Sequence, residues 1–455
     1  MESTIRTDIE KSVPVSESKE RLDGGYGWVM VFATFLFLFS TWGVNSAFGV
    51  YFSEYLKNNT FPGASRIDYA FIGGISFGVG LFSGPLVNYV HGILGTHLTI
   101  LLGNCFQFTS IMLASWSVSL WQLYCSQGIM QSFGLALISL PALTLLTQWF
   151  TKRRALAQGL AVMGSGAGGV TFTMAMYKVM EVRNVHWALR AQAIISACLV
   201  LIGVALVRTR TKAVVFIPID MPTLKCVGFW LLCFFNVTCV FGYVIILYTM
   251  SSYTTSLGYT QYQGAIVSTM VQVGFCFGRP LIGHVSDIVG PATITVFCYY
   301  MATIFTLAMW ITARNYESLI MLALLEGTFI GAVFSTTAPI IVHLVGLRRV
   351  NVAFCMSWVF FGVASIFGEP VGVCLTDLLP NGNLDPNSFK KTAIFAGCSF
   401  FVCATFMLFL RGYLIARERI MEKFYSDEKS IDRLYVNVPA RDVFNHLFVW
   451  SNIRA

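Results

Sequence analysis

The chain is a succession of apolar runs, each about as long as a membrane is thick, reaching almost to its end. A helix needs about 20 predominantly apolar residues to cross the hydrocarbon of a bilayer, and a window of that length finds twelve candidates. They lie near 27–52, 67–90, 98–116, 120–148, 155–179 and 188–207, then near 226–250, 264–283, 292–313, 319–345, 350–375 and 392–413. The run through 98–148 is nearly continuous and divides at Ser117–Ser119. Only 11% of the 455 residues are charged, against roughly 25% in a soluble domain. A soluble surface must be wetted by something, and lipid as solvent accounts for the deficit. The fold class expected is an all-α membrane protein with about twelve transmembrane helices.

A net charge of +8 would ordinarily point to nucleic acid or another anionic partner. Here the cations sit in short clusters between apolar runs, so the bilayer is the expected partner and nucleic acid is not. An even number of spans puts both termini on one side. Twenty-one lysines and arginines fall on that side and seven on the other, so the positive-inside rule predicts cytosolic termini. The first twenty-two residues carry no apolar core followed by a small-residue cleavage site, so no cleavable signal is expected and the first helix directs insertion. The twelve cysteines, Cys105 to Cys403, lie in or beside apolar runs with no CxxC pair or Cys/His spacing. They read as small buried apolar side chains. Neither a disulfide framework, a metal site nor a cofactor is expected.

The sequence also repeats. Gly84-Pro85-Leu86 with Gly95 returns as Arg279-Pro280-Leu281 with Gly290, and Arg153-Arg154 returns as Arg348-Arg349. Both offsets are 195 residues. Two pseudo-symmetric six-helix bundles around a central cavity follow, an organisation that resembles the major facilitator superfamily. The divisions expected are a cytosolic tail 1–25, a bundle 26–207, a cytosolic linker 208–225, a bundle 226–413 and a cytosolic tail 414–455. Pro218 and Pro222 argue against a long helix in the linker.

Ionisable groups in mid-membrane are costly, at ~2.5–3.5 kcal/mol each on insertion scales, and usually face a cavity or a partner. Arg279 and Glu326 lie deepest. They read either as an ion pair that fixes the fold or as a site, with the Arg279 fork offered to an anion and a proton shuttled by Glu326. Arg190 and Glu369 stand nearer helix ends, where snorkelling to the interface is expected. Asn45-Ser46 interrupts the first apolar run, as a packing contact or a cavity-lining pair. The aromatic residues read as lipid-facing and core, with no substrate stacking site. Gly164-Ser165-Gly166-Ala167-Gly168-Gly169 matches a dinucleotide fingerprint as a string, but that motif needs a strand before it and a helix after it. Inside one apolar run, small residues at this spacing read as helix packing. Arg153, Arg154, Arg348 and Arg349 are candidate gating residues at equivalent cytosolic turns; their other reading is an anchor for anionic lipid. The sequon at Asn58 lies near the membrane, and that at Asn236 within a helix.

Asp23-Gly24-Gly25-Tyr26-Gly27-Trp28 opens the first helix, and Trp149-Phe150-Thr151-Lys152-Arg153-Arg154-Ala155-Leu156-Ala157-Gln158-Gly159 opens the fifth. With Gly278-Arg279-Pro280 in the eighth, this resembles the monocarboxylate transporter family from residue 23 to about 413. Asn45-Ser46-Ala47-Phe48-Gly49-Val50 resembles its fungal branch. The resemblance implies a secondary or facilitative transporter of a small organic solute, an anion such as a monocarboxylate-like compound, moved by alternating access. It implies protons as a candidate co-substrate and Arg279 as the substrate-site arginine. It favours the plasma membrane; a vacuolar membrane fits the same topology. The helix 1 lysine of the animal members falls at Ser46 here, and their helix 8 aspartate at Phe275, so lactate or pyruvate does not carry over. The alternative function is a solute receptor of the same fold that does not transport. No nucleophile–base pair, metal motif or phosphate loop supports an enzyme.

Overall fold

Inside lipid each backbone N–H and C=O must be satisfied within the protein, so an apolar run of this length folds as a helix. The computed structural model describes residues 23–57, 60–61, 63–209, 219–347, 349–377, 384–424, 434, 436 and 438–447. The first half of the chain holds α1 (Gly27–Tyr55), α2 (Arg66–Phe82), α3 (Gly84–Ala114), α4 (Leu120–Gln148), α5 (Arg154–Val182) and α6 (Val185–Leu206). The second holds α7 (Val227–Ser256), α8 (Gln261–Val289), α9 (Pro291–Trp310), α10 (Tyr316–Val345), α11 (Val350–Cys374) and α12 (Phe389–Phe424). Eleven of these are long and apolar enough to cross a membrane. The remaining one, α2, runs on through Ser83, whose N–H bonds Val79 O while its own carbonyl accepts from Val87 N–H. The span therefore continues into the first arm of α3.

That arm ends at Gly95, where φ is +74°. The expected boundaries of 67–90 and 98–116 thus shift to a turn at one residue. Pro85 does not end the ladder, because it sits at the start of a helix where its missing N–H costs no bond. The repeat is written into the local geometry as well. Gly290, 195 positions after Gly95, has φ +109° and separates α8 from α9. A side chain at either residue would be strained in that left-handed region. Ser65 forms a capping box with Asp68 at the start of α2, and Thr260, again 195 positions on, forms one with Gln263 at the start of α8.

The two halves meet along two seams, α5 against α8 and α2 against α11. The glycine-rich string of α5 lies in both of its contacts. Gly164 and Gly168 sit on the carbonyls of Phe35 and Phe39 in α1, while Gly159 faces the Arg279 carbonyl and Gly166 and Gly169 face Gln272 in α8. A Cβ at any of them would collide, which is the packing role expected for the string. Large apolar side chains such as Phe32, Leu98, Leu201, Phe277 and Phe401 point outward, where lipid lies. Free cysteines divide between the interior (Cys226, Cys239, Cys403) and that outer surface (Cys105, Cys198, Cys398). The α12 helix runs on past its expected end at 413 to Phe424, and Arg417 donates from there to the carbonyls of Leu344 (2.9 Å) and His343 (2.7 Å) at the end of α10. Carbonyls at a helix C-terminus carry partial negative charge, so a cation there is stabilising.

Candidate functional site

At the face away from Asp23 and the end of α12, beyond the contact of Gly169 with Gln272, a cavity of about 460 Å³ opens between the halves. Its walls are rich in hydroxyls: Ser46 and Ser53 of α1, Thr173 and Tyr177 of α5, Ser251, Ser252 and Thr255 of α7, and Ser268 of α8. Exposed Ser53, Glu181 and Gln261 mark the open end. The volume suits a small organic molecule, whose sites commonly measure roughly 300–1,000 Å³.

Beneath the cavity is a second space of about 10 Å³, enough for roughly one water. Ser46, Leu247 and Gln272 line both spaces and form a collar between them. Arg279 lies below the collar with Asn45, Ser165, Tyr243 and Phe334. Three of the residues expected at a site, Arg279, Asn45 and Ser46, are therefore brought together. The α1 helix is interrupted at Ala47, directly after Asn45-Ser46. Asn45 accepts from the Ser76 hydroxyl at 2.9 Å, and Ser46 donates to the Trp42 carbonyl at 2.9 Å.

Arg279 is only 1% exposed. One terminal nitrogen donates to the Val162 carbonyl at 3.0 Å and to the Ser165 hydroxyl, the other to the Tyr243 hydroxyl at 3.5 Å. Nε is without a partner. The guanidinium carbon lies 4.1 Å from the centre of the Phe275 ring and 5.1 Å from that of Phe334. Among the described residues no carboxylate bonds to it. Its positive charge is held by neutral oxygens and ring faces, each desolvated ring being worth up to about 2 kcal/mol.

Glu326 is not part of this group. It is fully buried, with one oxygen accepting from the Thr306 hydroxyl at 2.7 Å and the other unpartnered. Thr306 lies in a π-helical stretch, Phe305–Trp310, that turns its hydroxyl toward α10. The ion pair between Arg279 and Glu326 is absent. Snorkelling fits Arg190, which donates to Ser115 at 3.2 Å and lies against the rings of Trp116 and Trp187. It fails for Glu369, which is 2% exposed at the seam of α2 and α11. Gly73 leaves room for the carboxyl, so the side chain points into the seam rather than along the helix to the interface.

The candidate gating residues occupy the closed end. Asp287 of α8 reaches across the seam and accepts from the amides of Ala155 (3.0 Å) and Leu156 (2.9 Å) at the start of α5. The Arg154 side chain donates to the Phe150 carbonyl within its own half at 2.7 Å, while the Arg153 side chain is exposed. Arg349 lies 3.8 Å from the Asp220 carboxylate, and Arg348 lies outside the described residues. Asp23, from the opening motif, accepts from the Thr151 hydroxyl and from the amides of Thr151, Lys152 and Arg153. Burial works to raise the Asp23 carboxyl, but these bonds together outweigh it and hold the group below its ordinary range.

Sequence reasoning missed the aromatic cradle. Phe275 stands four positions before Arg279, on the same helix face, and that spacing was the available signal. Gln272, seven positions before Arg279, shares that face of α8, whereas Tyr243 and Ser165 come from helices distant in sequence and gave no signal.

A sequence model of the Major Facilitator Superfamily matches residues 30–369. The chain belongs to that superfamily. It is 38% identical over 448 residues to the probable transporter MCH2 of Saccharomyces cerevisiae, covering 96% of this chain and 93% of that protein. It is 28% identical to monocarboxylate transporter 13 of Rattus norvegicus, over 79% of this chain and 84% of that one. Within the superfamily it stands with the fungal monocarboxylate-transporter-like members. The proton:xylose symporter XylE, solved with 6-bromo-6-deoxy-D-glucose, shares the fold at a TM-score of 0.67 and 12% identity, covering 84% of this chain and 95% of that one. This chain is thus an integral membrane transporter of a small solute.

Proposed function

We propose that this transporter carries small organic anions by alternating access, with both termini in the cytosol and the described conformation open to the outside. The observation that carries the reading is Arg279: a fully buried guanidinium, without a carboxylate partner among the described residues, under a hydroxyl-lined cavity. An arginine is charged at any physiological pH, and a fixed charge in mid-membrane is kept where it serves a function. Its neighbours solvate it without neutralising it, so an entering anion meets uncompensated positive charge. An oxyanion that opens the Ser46–Leu247–Gln272 collar would meet the Arg279 guanidinium in a space that Asn45 and Ser46 also line. Glu326 lies apart from this route. Closure at the cytosolic end rests on Asp287 across the α5 start, with Arg154 bonded to Phe150 beside it and Arg349 against Asp220 of the linker.

The test is uptake of an untargeted metabolite extract into proteoliposomes, read by mass spectrometry. Accumulation of organic anions is the expected result. Accumulation of neutral or cationic solutes alone would reject the anion reading, and binding without accumulation would identify a receptor.

A further inference from the structure

The seam of α2 and α11 holds a second buried charge-bearing group, and it is solvated in no way that Arg279 is. Neither carboxyl oxygen of Glu369 has a hydrogen-bond partner. An ionised carboxylate without donors is disfavoured even after the protein relaxes, and a carboxyl in such surroundings can shed that cost by binding a proton. The fold makes deliberate room for it. A Cβ on Gly73 would overlap a Glu369 carboxyl oxygen, and Gly74 and Gly78 carry α2 down the same face of α11 onto the carbonyls of Ile366 and Gly362.

The elements packed around Glu369 offer it no cation. The α2 helix presents Gly73, with Arg66, Asp68 and Tyr69 nearer its outer end, and α1 presents Phe48, with Tyr51, Glu54 and Tyr55 farther out. The α7 helix presents Tyr248, which interacts electrostatically with Glu369, and Tyr243 one further turn in. Tyr248 is the informative neighbour. Its side chain lines the 460 Å³ cavity, while its hydroxyl is buried and without a hydrogen-bond partner. Two orphaned protic groups thus stand between the cavity and the seam, with the phenol as the wall.

We propose that Glu369 is the coupling-proton site of this carrier, loaded from the cavity past Tyr248. The inference rests on the transport reading and deepens it. A carboxyl that no bond fixes responds to whatever surrounds it. When the halves rock and α2 repacks against α11, water or a donor admitted on one side lowers its proton affinity, and exclusion restores it. The proton is therefore held in one state of the cycle and released in the other, which is what couples its movement to the conformational equilibrium. Glu326, bonded to Thr306 away from the cavity, has a structural place instead.

Two measurements on the full chain in liposomes test this. The first treats wild type with dicyclohexylcarbodiimide, which modifies protonated carboxyls in apolar surroundings, and maps adducts by mass spectrometry. An adduct on Glu369 at neutral pH is expected; its absence there would overturn the proposal. The second measures uptake of an anionic metabolite extract with and without an inside-alkaline pH gradient. Wild type is expected to gain at least about fivefold from the gradient, and E369Q to take up the same anions with no gain. E369D, which keeps a carboxyl, is expected to retain gradient dependence and to show that the site tolerates change. A gradient response surviving in E369Q, or absent from wild type that still takes up anions, overturns the coupling site alone. Failure of wild type to accumulate any anion rejects the transport reading, and the coupling role with it.

Discussion

The two seams between the halves each bury one ionisable side chain, and they treat it in opposite ways. On the α5–α8 side Arg279 is wrapped by a carbonyl, two hydroxyls and two ring faces. On the α2–α11 side Glu369 has no hydrogen bond at all. The first arrangement surrounds a charge with hydrogen-bond acceptors and ring faces, and the second offers a carboxyl no hydrogen-bond donor. A permanent cation can be kept in mid-membrane only if something solvates it, whereas a carboxyl escapes the same cost by binding a proton. The seams differ in geometry too. Glycine contacts between α2 and α11 run from Gly73 to Gly78, while the cavity opens beyond the contact of Gly169 with Gln272.

Substitutions that change how Arg279 is solvated sharpen this comparison. Arg279→Lys keeps the charge but loses the fork that spans Val162, Ser165 and Tyr243. Charged hydrogen bonds are worth about 1.5–3 kcal/mol each, so anion uptake should fall by one to two orders of magnitude at equal reconstitution. Uptake near the wild-type rate would mean that the cradle is not needed. Phe275→Ala removes the nearer ring face and opens space beside the guanidinium. At about 1 kcal/mol, uptake should drop severalfold, measured in the same vesicles, with Phe275→Leu no better because it restores volume without the ring.

The closed end should respond less strongly. Asp287→Asn weakens the two bonds that tie α8 to the start of α5 and should shift the carrier toward the state open to the cytosol. A cysteine placed on the inner half of α4 should then label several times faster from that side. Arg154→Gln, whose bond stays within one half, should shift labelling less; the reverse order would place the latch on the arginine. The smallest effect belongs to Asp23. Its lowered proton affinity means that it stabilises the fold fully above the ordinary aspartate range and loses that contribution as pH falls through the lowered value. Thermal unfolding of Asp23→Asn should therefore lie slightly below wild type at neutral pH and converge with it in acid. A gap that widens in acid would contradict the assignment.

How much of this was legible in the sequence depends on the range of the interaction. The spans, the twofold repeat and the glycine packing string were readable because they are properties of one run or of a fixed offset. Helix ends were read less well between 90 and 98, where hydropathy left an open gap and the backbone turns at one residue, Gly95. Arg279, Asn45 and Ser46 stand out as candidates because each is polar in an apolar run, and the structure lines one space with all three. The pairing with Glu326 was a guess from depth alone, and depth does not say which face of α10 the carboxylate leaves from. Glu369 was assigned to the interface by its distance from a helix end; its burial depends on Gly73, nearly three hundred residues earlier in the chain.

The most direct test of the account is anion uptake by Arg279→Gln beside wild type, in vesicles matched for protein amount and orientation. Losing two or more charge-assisted bonds to an oxyanion predicts a fall of about a hundredfold or more, with the variant still folded and inserted. Undiminished uptake of the same anions by Arg279→Gln would contradict the account at its centre.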